Sequence, residues 1–332
     1  MDARHTERAV KYVKDTFERE LSGELYLSRV TSPLFVAKGS GINDDLNGVE
    51  RPVSFEVMNL DNRNMEIVHS LAKWKRMALA DYSFEKGTGL YTDMNAIRPD
   101  DDLDQIHSIY VDQWDWELAM PDDSRTLDYL KYIVEKIYGA LKRTEFLIGE
   151  MFPQCPPYLP ETITFIHSED ALKRYPDLKP AEREKALAEE YGAIFIIGIG
   201  KVLEDGVVHG GRAPDYDDWS TPTSDSTFGL NGDIIVWDRV RQDSLELSSM
   251  GIRVDEEALL RQLAITGKEE RKDLYWHRRL LDGQFPQSVG GGIGQSRICM
   301  FLLKKAHIGE VQASVWPDAV HEEAAEHNVT LL

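Results

Sequence analysis

The chain has 332 residues, of which 42% are hydrophobic, and its 38 basic and 58 acidic side chains give a formal net charge of −20. This length suffices for one large core or two modest domains, and no Pro/Gly/Ser-rich linker marks a boundary, so we predict a single domain over residues 1–332. The negative charge disfavours nucleic acid and anionic membranes as partners, so a polyanionic ligand would need a local basic pocket.

Cysteine content and hydropathy narrow the class of protein further. The two cysteines, Cys155 and Cys299, lack metal-ligand spacing, and the N-terminal residues MDARHTERAV contain no apolar signal core. No later stretch is long and apolar enough to span a bilayer. These features predict a cytoplasmic enzyme or binding protein.

The predicted elements begin with a helix over Glu7–Leu21, followed by a strand in LYLSRVTSPLFV that is interrupted at Pro33. The helix carries an apolar stripe of Val10, Val13, Phe17 and Leu21. Further strands are predicted over Val53–Val57, Glu66–Ser70, His107–Glu117, Thr162–His167, Ala193–Ile199, Asp233–Trp237 and Ser244–Ser248. Further helices are predicted over Leu71–Ala80, Ser124–Glu150, Pro180–Tyr191 and Glu256–Gln262. Because several strands are separated by hairpin-length loops, we predict an antiparallel sheet and the α+β class.

The stretch SIYVDQWDWE has the strict alternation of a strand. Alternation places Gln113, Asp115 and Glu117 on one face and the two tryptophans on the other. By itself this pattern is typical of an ordinary half-exposed strand over an aromatic core. Arg98 in the preceding IRPDDDLDQ is predicted to end a strand that pairs antiparallel with it, which would bring the guanidinium near the polar face.

The stretch LNGDIIVWDRVRQDSLELSSMGIR predicts a hairpin. If its turn is centred near Arg239 and Val240, Asp233 faces Glu246 across the ladder. Two facing carboxylates repel by about 4 kcal/mol at about 4 Å and an effective dielectric near 20, so a cation between them would stabilise the pair. A solvated edge on which both side chains point to water is an equally open alternative.

The second half of this hairpin adds Ser248, Ser249 and Arg253, whose hydroxyl and guanidinium groups suit an anionic substrate. Gly251 is predicted to form a bulge that would turn Arg253 toward the same face.

Glycines are crowded in GGGIGQSRICMFLL, yet their spacing fits neither a dinucleotide-binding fingerprint nor a Walker loop. The apolar run after them predicts a helix that enters the core, with Arg297 in its first turn.

Three of these stretches, VTSPLFV, IRPDDD…YVDQWDWE and GGGIGQSRICMFLL, resemble motifs 1, 2 and 3 of the class II aminoacyl-tRNA synthetase fold, near its aspartyl and asparaginyl branch. The resemblance implies that ATP lies against the glycine-rich strand at Gly292 and Gly294. It also implies that Arg297 binds the terminal phosphate and that Arg98 holds the α-phosphate.

Longer strings are together similar to the aspartate–ammonia ligase family of ammonia-dependent asparagine synthetases: FEVMNL…EIVHSLAKWKR, GLYTDMNAIRPDD, RAPDYDDWSTP, LNGDI, ELSSMGIR and GGGIGQSR. The resemblance implies a homodimer that makes asparagine from aspartate, ammonia and ATP with Mg²⁺, and that releases AMP and pyrophosphate. We expect the two-fold interface to lie at about residues 5–36, through the apolar stripe of the first helix.

The family pattern also implies roles for individual residues of this chain. Asp233 and Glu246 match the magnesium carboxylates. Asp100 and Ser248 join Arg98, Gly292, Gly294 and Arg297 as nucleotide contacts. The residues matched to aspartate binding are Asp44, Ser70, Lys75, Gln113, Asp115, Ser249 and Arg253. Asp44 and Asp115 are candidates for the base, beside Arg98 and Arg297 as catalytic cations; Asn43 replaces a glutamine that is common in the family's loop.

The resemblance further implies that Lys75 and Arg253 clamp the α-carboxylate, so that a β-aspartyl adenylate forms. Ammonium rather than glutamine is expected as the nitrogen donor, because residue 2 is Asp2 and not the cysteine of glutamine-hydrolysing asparagine synthetases.

Two alternatives stay open. A tRNA-charging aspartyl or asparaginyl synthetase is disfavoured by the negative charge and by the lack of room for an anticodon-binding barrel before the motif 1 helix. A non-catalytic paralogue that binds ATP or an amino acid is disfavoured by the presence of Arg98, Asp233, Glu246 and Arg297.

Overall fold

A computed structural model describes residues 1–44, 46 and 50–332 of the chain. Its strands, in chain order, are β1 (Leu27–Arg29), β2 (Phe35–Ala37), β3 (Ser54–Val57), β4 (Arg63–Ile67), β5 (Gly89–Ile97), β6 (Tyr110–Ala119), β7 (Thr164–His167), β8 (Ala193–Ile197), β9 (Asn231–Asp238), β10 (Asp243–Ile252) and β11 (Ser288–Gly294). Eight of them form one sheet in the order β1-β5-β6-β11-β10-β9-β8-β7, and β2-β4-β3 form a small second sheet. The outer pairs β1/β5 and β7/β8 are parallel, and the other pairs are antiparallel. The predicted α+β class is confirmed.

The helices flank this sheet. In chain order they are α1 (Ala3–Leu25), α2 (Ala72–Asp81), α3 (Leu127–Met151), α4 (Ser168–Arg174), α5 (Pro180–Tyr191), α6 (Glu256–Thr266), α7 (Tyr275–Leu281), α8 (Gln295–Leu302) and α9 (Asp318–Glu326). None of these described helices combines the length and apolarity that a membrane crossing requires.

Helix α1 begins at the Asp2 cap, whose side chain accepts a hydrogen bond from the His5 backbone N–H. Its apolar stripe is buried within the chain's own core, where the Phe17 ring lies 4.9 Å from the Trp114 ring. The stripe is therefore not available to a second copy, and its assignment as the dimer interface was wrong. A two-fold interface within residues 5–36 stays a prediction, and it would have to use other side chains.

The hairpin β9–β10 has a different register from the one predicted. Asp233 lies opposite Ser249, whereas Glu246 lies opposite Ile235. The turn occupies residues 239–242, one position later than expected, and an irregularity in β10 shifts the register again. The prediction that Asp233 directly faces Glu246 was therefore wrong.

The irregularity is a bulge between Glu246 and Ser248. The bulge predicted at Gly251 is absent, because Gly251 pairs in register with both Asn231 and Gly290. The true bulge leaves Ser249 and Arg253 on the same face of the sheet as β9 Asp233, since residues directly opposite each other share a face.

Candidate active site

The polar face of the large sheet forms the floor of a cavity of about 660 Å³, here called the main cavity. The predicted site residues that line it are Asp44, Ser70, Lys75, Arg98, Gln113, Asp115, Asp233, Glu246, Ser249, Arg253 and Gly292. A second cavity of about 520 Å³ adjoins it at Arg98, Gln113, Glu246 and Gly292 and also contacts Gly294 and Arg297. Side chains from distant parts of the sequence thus meet over one sheet face.

Alternation along β6 produces this floor. Trp114 and Trp116 are buried in the hydrophobic core, whereas Gln113 and Asp115 line the main cavity. The predicted two-faced strand is confirmed, although its polar face is covered rather than half-exposed: Glu117 is fully buried.

The glycines of β11 make room for the side chains of β6. A Cβ atom built on Gly292 would lie 2.7 Å from Asp115 Oδ1 and would overlap Gln113, and one on Gly290 would overlap the Glu117 carboxylate. The glycine run therefore lets acidic and amide groups of β6 project across its backbone into the cavity.

Two cations lie buried at one end of the main cavity. Lys75, on α2, is 1% exposed; its Nζ donates to the Gly291 carbonyl at 2.7 Å and lies 3.4 Å from Asp115 Oδ1. Burial lowers the pKa of Lys75, and the charge of Asp115 offsets part of this effect. An ammonium in this position has few competing water contacts, so a carboxylate ligand would bind it strongly.

Arg253 is the second buried cation. Its Nε and Nη2 donate to the Glu117 carboxylate at 3.0 and 2.8 Å, and its Nη1 donates to Asp217. Glu117 also accepts from Ser288 Oγ at 2.7 Å. Burial alone would raise the pKa of Glu117, but the charge and hydrogen bonds of Arg253, the charge of Lys75 and the hydrogen bond from Ser288 together lower it. Glu117 thus fixes the orientation of Arg253.

Asp44 and Asp115, the two candidate bases, have different partners. Asp44 is 3% exposed; its Oδ2 accepts from Ser70 Oγ at 2.9 Å and its Oδ1 from the Leu46 N–H at 3.0 Å. Among the residues that the structure describes, no cation contacts Asp44. Asp115 instead pairs with Lys75 and accepts from the Leu71 N–H at 3.2 Å.

The motif arginines lie where the main cavity meets the second cavity: Arg98 lines both cavities, and Arg297 lines the second. Arg98 follows β5 directly, as predicted; its Nη2 donates to the His69 carbonyl at 3.1 Å, and its buried Nε has no hydrogen-bond partner within the described chain. Arg297 lies in the first turn of α8, as predicted, and donates to the Glu246 carbonyl at 3.0 Å. Both guanidinium groups keep donors for a ligand.

Asp233 and Glu246 both line the main cavity although they are not directly opposite. Burial raises the pKa of Asp233 to about 7; the charge of Arg212 opposes this shift, and the negative charge of Glu246 adds to it. Two mutually repelling carboxylates suit a divalent cation. Within residues 1–44, 46 and 50–332, no cluster of three or more metal-ligating side chains exists, so the protein would supply only these two carboxylates.

Two predicted nucleotide contacts lie elsewhere. Asp100 lines neither cavity; it pairs with Arg51, whose Nη2 lies 2.5 Å from Asp100 Oδ1, and the hydrogen bonds from Arg51 lower its pKa to about 2. Its neighbour Asp101 lines both cavities. Ser248 was also misassigned: because of the bulge, it lies opposite the core residues Ile234 and Ile293.

Sequence reasoning gave no role to several residues that the structure brings into the main cavity. Arg212 donates to Asp233 and, at 2.5 Å, to Ser249 Oγ. Tyr216 and Asp217, from the same stretch RAPDYDDW, also line the cavity. The only sign of these residues in the sequence was a run of four charged side chains within seven positions. No local periodicity indicated whether those side chains face the site or the solvent.

Comparisons with known proteins agree with this geometry. Residues 4–328 match the family model described as aspartate-ammonia ligase. An aspartate–ammonia ligase of Parabacteroides distasonis is 60% identical over 327 residues, covering 98% of this chain and 95% of the relative. One of Bacteroides fragilis is 56% identical over 332 residues, covering 100% and 96%. Among solved structures, asparaginyl-tRNA synthetase of Pyrococcus horikoshii with asparaginyl-adenylate superposes with a TM-score of 0.69 at 17% identity, over 94% of this chain and 70% of that one.

Proposed function

The chain belongs to the aspartate–ammonia ligase family, and from this we propose that it makes L-asparagine from L-aspartate, ammonia and ATP, with release of AMP and pyrophosphate. The observation that carries the proposal is the main cavity, which holds two buried cations at one end and Arg98 at the other, where the adjoining second cavity adds Arg297. A small amino acid with two carboxylates and a triphosphate match these two ends in charge and size.

In the proposed orientation, Lys75 and Arg253 bind the α-carboxylate of aspartate, and an acidic side chain such as Asp115 accepts from its α-amino group. The β-carboxylate then points toward Arg98. An oxygen of this carboxylate attacks the α-phosphorus of ATP, and the new P–O bond forms as the bond to pyrophosphate breaks. Arg98 and Arg297 stabilise the negative charge that accumulates on the phosphate oxygens.

In the second step, ammonia attacks the β-carbonyl carbon of the adenylate. The C–N bond forms, the C–O bond to AMP breaks, and one proton leaves the nitrogen. We assign its acceptance to Asp44 rather than Asp115, because Asp44 has no cationic partner in the described chain whereas Asp115 is already paired with Lys75.

Magnesium fits the carboxylates of this chain. Asp233 and Glu246 would hold it beside the triphosphate, where it supplies positive charge to the phosphate oxygens. The raised pKa of Asp233 supports this assignment, since burial and the nearby Glu246 carboxylate disfavour its charged form even with Arg212 beside it, and a bound cation would stabilise that form. Most of the remaining ligands would be phosphate oxygens and water, as is common for magnesium.

We further propose that the whole chain acts as one catalytic domain and works as a homodimer in the cytoplasm, where ATP is abundant. An exposed apolar patch on the small sheet supports the dimer: Leu34 and Phe35 are 49% and 42% exposed, the Phe35 and Phe55 rings lie 5.2 Å apart, and Met58 is 84% exposed. Light scattering at micromolar concentration tests it, and a monomer would contradict it.

The activity is tested with purified protein, aspartate, ATP, magnesium chloride and ammonium chloride. Asparagine and AMP in equal amounts are the expected products, and glutamine should not replace ammonium. A protein of the tRNA-charging class would instead form AMP only with tRNA present, and a non-catalytic paralogue would bind ATP without turnover. Either of these results would contradict the proposal.

A further inference from the structure

Behind the main cavity lies a smaller cavity of about 220 Å³, here called the rear cavity. The polar side chains that line it are Lys38, Ser40, Asn43, Glu66, Lys73, Asp215, Arg271 and His277. Lys73, Asp215 and His277 are between 0 and 2% exposed. None of these residues has a role in the reaction proposed above.

Asp215 is the centre of this cluster. Its Oδ2 accepts hydrogen bonds from Lys73 Nζ at 3.1 Å, Arg271 Nη1 at 3.2 Å and His277 Nε2 at 2.9 Å. Because a carboxylate oxygen only accepts, Nε2 of His277 carries the hydrogen, and Nδ1 is the basic nitrogen of the neutral ring.

Two buried polar atoms of the cluster remain without a hydrogen-bond partner in the described chain: Asp215 Oδ1 and His277 Nδ1. A Cβ atom built on Gly41 would lie 3.0 Å from His277 Nδ1, so this nitrogen faces the Gly41 wall of the rear cavity. Buried polar atoms are rarely left unpaired. Two acceptors at one small cavity call for a small ligand with several N–H or O–H donors.

The charges at the rear cavity select against a cation. Lys73 and Arg271 both donate to Asp215, so an ammonium ion placed at this carboxylate would lie close to two positive charges. A neutral ligand avoids the repulsion that an ammonium ion would meet. Neutral ammonia offers three N–H donors for the two acceptors, and it carries no charge.

The rear cavity also borders the place where ammonia is used. Asn43 lines it, and the side-chain oxygen of Asn43 accepts from the Asp44 N–H at 3.0 Å. Asp44 itself lines the main cavity. The loop at residues 41–44 and the start of α2 therefore form the wall between the two cavities.

We propose that the rear cavity binds neutral ammonia at His277 Nδ1 and Asp215 Oδ1 and supplies it to the Asp44 side of the main cavity. This inference rests on the proposed function, since it concerns that reaction's second substrate.

The test compares three variants with the unmodified protein. His277→Gln keeps an N–H for Asp215 and replaces the basic ring nitrogen by a weaker amide-oxygen acceptor. Ala37→Leu adds bulk at a β2 residue that lines the rear cavity. His321→Gln, exposed on α9, is the matched control. Two quantities are measured for each: the KM for ammonium chloride at saturating aspartate and ATP, and aspartate-dependent ATP–pyrophosphate exchange, which reports adenylate formation alone.

His277→Gln weakens one hydrogen bond to ammonia and Ala37→Leu reduces the space for it, so each should raise the KM for ammonium about five- to tenfold and leave the exchange rate and the KM for aspartate unchanged. His321→Gln should match the unmodified protein. An unchanged KM for ammonium in both cavity variants means that the rear cavity holds water only and overturns the inference. A parallel fall of exchange and synthesis in His277→Gln means that His277 only supports the fold and overturns it as well. If the unmodified protein makes no asparagine, the proposed function itself fails, which is a separate result.

Discussion

The two ends of the main cavity differ in how far the protein has already neutralised their charges. At the end assigned to aspartate, Lys75 and Arg253 are buried, and both are paired with carboxylates of β6. At the end assigned to ATP, Arg98 and Arg297 are partly exposed and donate to backbone carbonyls, and Arg297 Nη1 lies 3.8 Å from the exposed Glu246 carboxylate.

Solvation explains this difference. A buried charge without a partner is costly, so the closed end must be paired before any ligand arrives. A ligand binds at the closed end only if it matches the fixed arrangement of the paired side chains, and this favours selectivity for one substrate. The open end has water as a partner and can accept a highly charged phosphate chain without reorganising the core. Arginine substitutions at the two ends should therefore have different effects: loss of stability at the closed end and loss of rate at the open end.

The largest effect is expected at the closed end. Arg253→Gln leaves Glu117 and Asp217 buried without their common partner and should lower the free energy of unfolding by about 3–5 kcal/mol. Urea denaturation measures this, with Arg297→Gln as the matched control at the open end, expected within about 0.5 kcal/mol of the unmodified protein. Equal stability of the two variants would remove the contrast between the ends.

The second effect belongs to the open end and concerns rate. Arg98→Gln should slow aspartate-dependent ATP–pyrophosphate exchange by about 10²–10³, because a donor aimed at the developing charge on phosphate is lost. Its stability should hardly change, since Arg98 has no carboxylate partner in the part of the chain that the structure describes. Exchange within threefold of the unmodified protein would show that Arg98 does not act on the α-phosphate.

A smaller effect is expected on the KM for aspartate and not on the KM for ATP. Lys75→Gln removes one charge-assisted contact to aspartate and should raise the KM for aspartate about tenfold or more. The KM for ATP should stay nearly constant, because Lys75 lies at the other end of the cavity. Steady-state kinetics with each substrate varied in turn decide this, and a change confined to ATP would reverse the assignment of the two ends.

The smallest effect is a pH dependence at Asp233. Its pKa is raised to about 7, so the carboxylate gains a proton as pH falls through that value and then competes poorly for magnesium. The magnesium concentration for half-maximal exchange should therefore rise up to about tenfold between about pH 8 and about pH 6. Asp233→Asn should need more magnesium at both pH values and lose most of this dependence. The same pH response in both proteins would exclude Asp233 as a ligand.

Local patterns predicted much of this architecture. The alternation of β6 placed Gln113 and Asp115 correctly, and helical spacing located α1, α3 and α5 to within a few residues. Short or weakly patterned elements such as α4, α7 and α9 were not predicted, because their form depends on packing more than on periodicity. The reason for the glycines of β11 could be recognised only in the structure, where β6 lies beside them.

The predictions were wrong where a shift of one residue in strand register changes which side chains face each other. A turn displaced by one position and a bulge at Glu246–Ser248 changed the partner of Asp233 and moved Ser248 to the core side. Contacts over long sequence separations were also invisible: Lys73 and Asp215 are 142 positions apart, and no local pattern links them. These pairings depend on how the whole sheet is assembled.

The central claim is that aspartate binds with its α-carboxylate at the closed end and its β-carboxylate toward ATP. The most direct test supplies aspartate labelled with oxygen-18 only in the β-carboxylate, together with ATP, magnesium and ammonium, and follows the label by mass spectrometry of AMP. One β-carboxylate oxygen should appear in the phosphate of AMP, with asparagine as the other product. Label that reaches AMP only from an α-labelled substrate, or isoasparagine as the product, would show that aspartate binds the other way round.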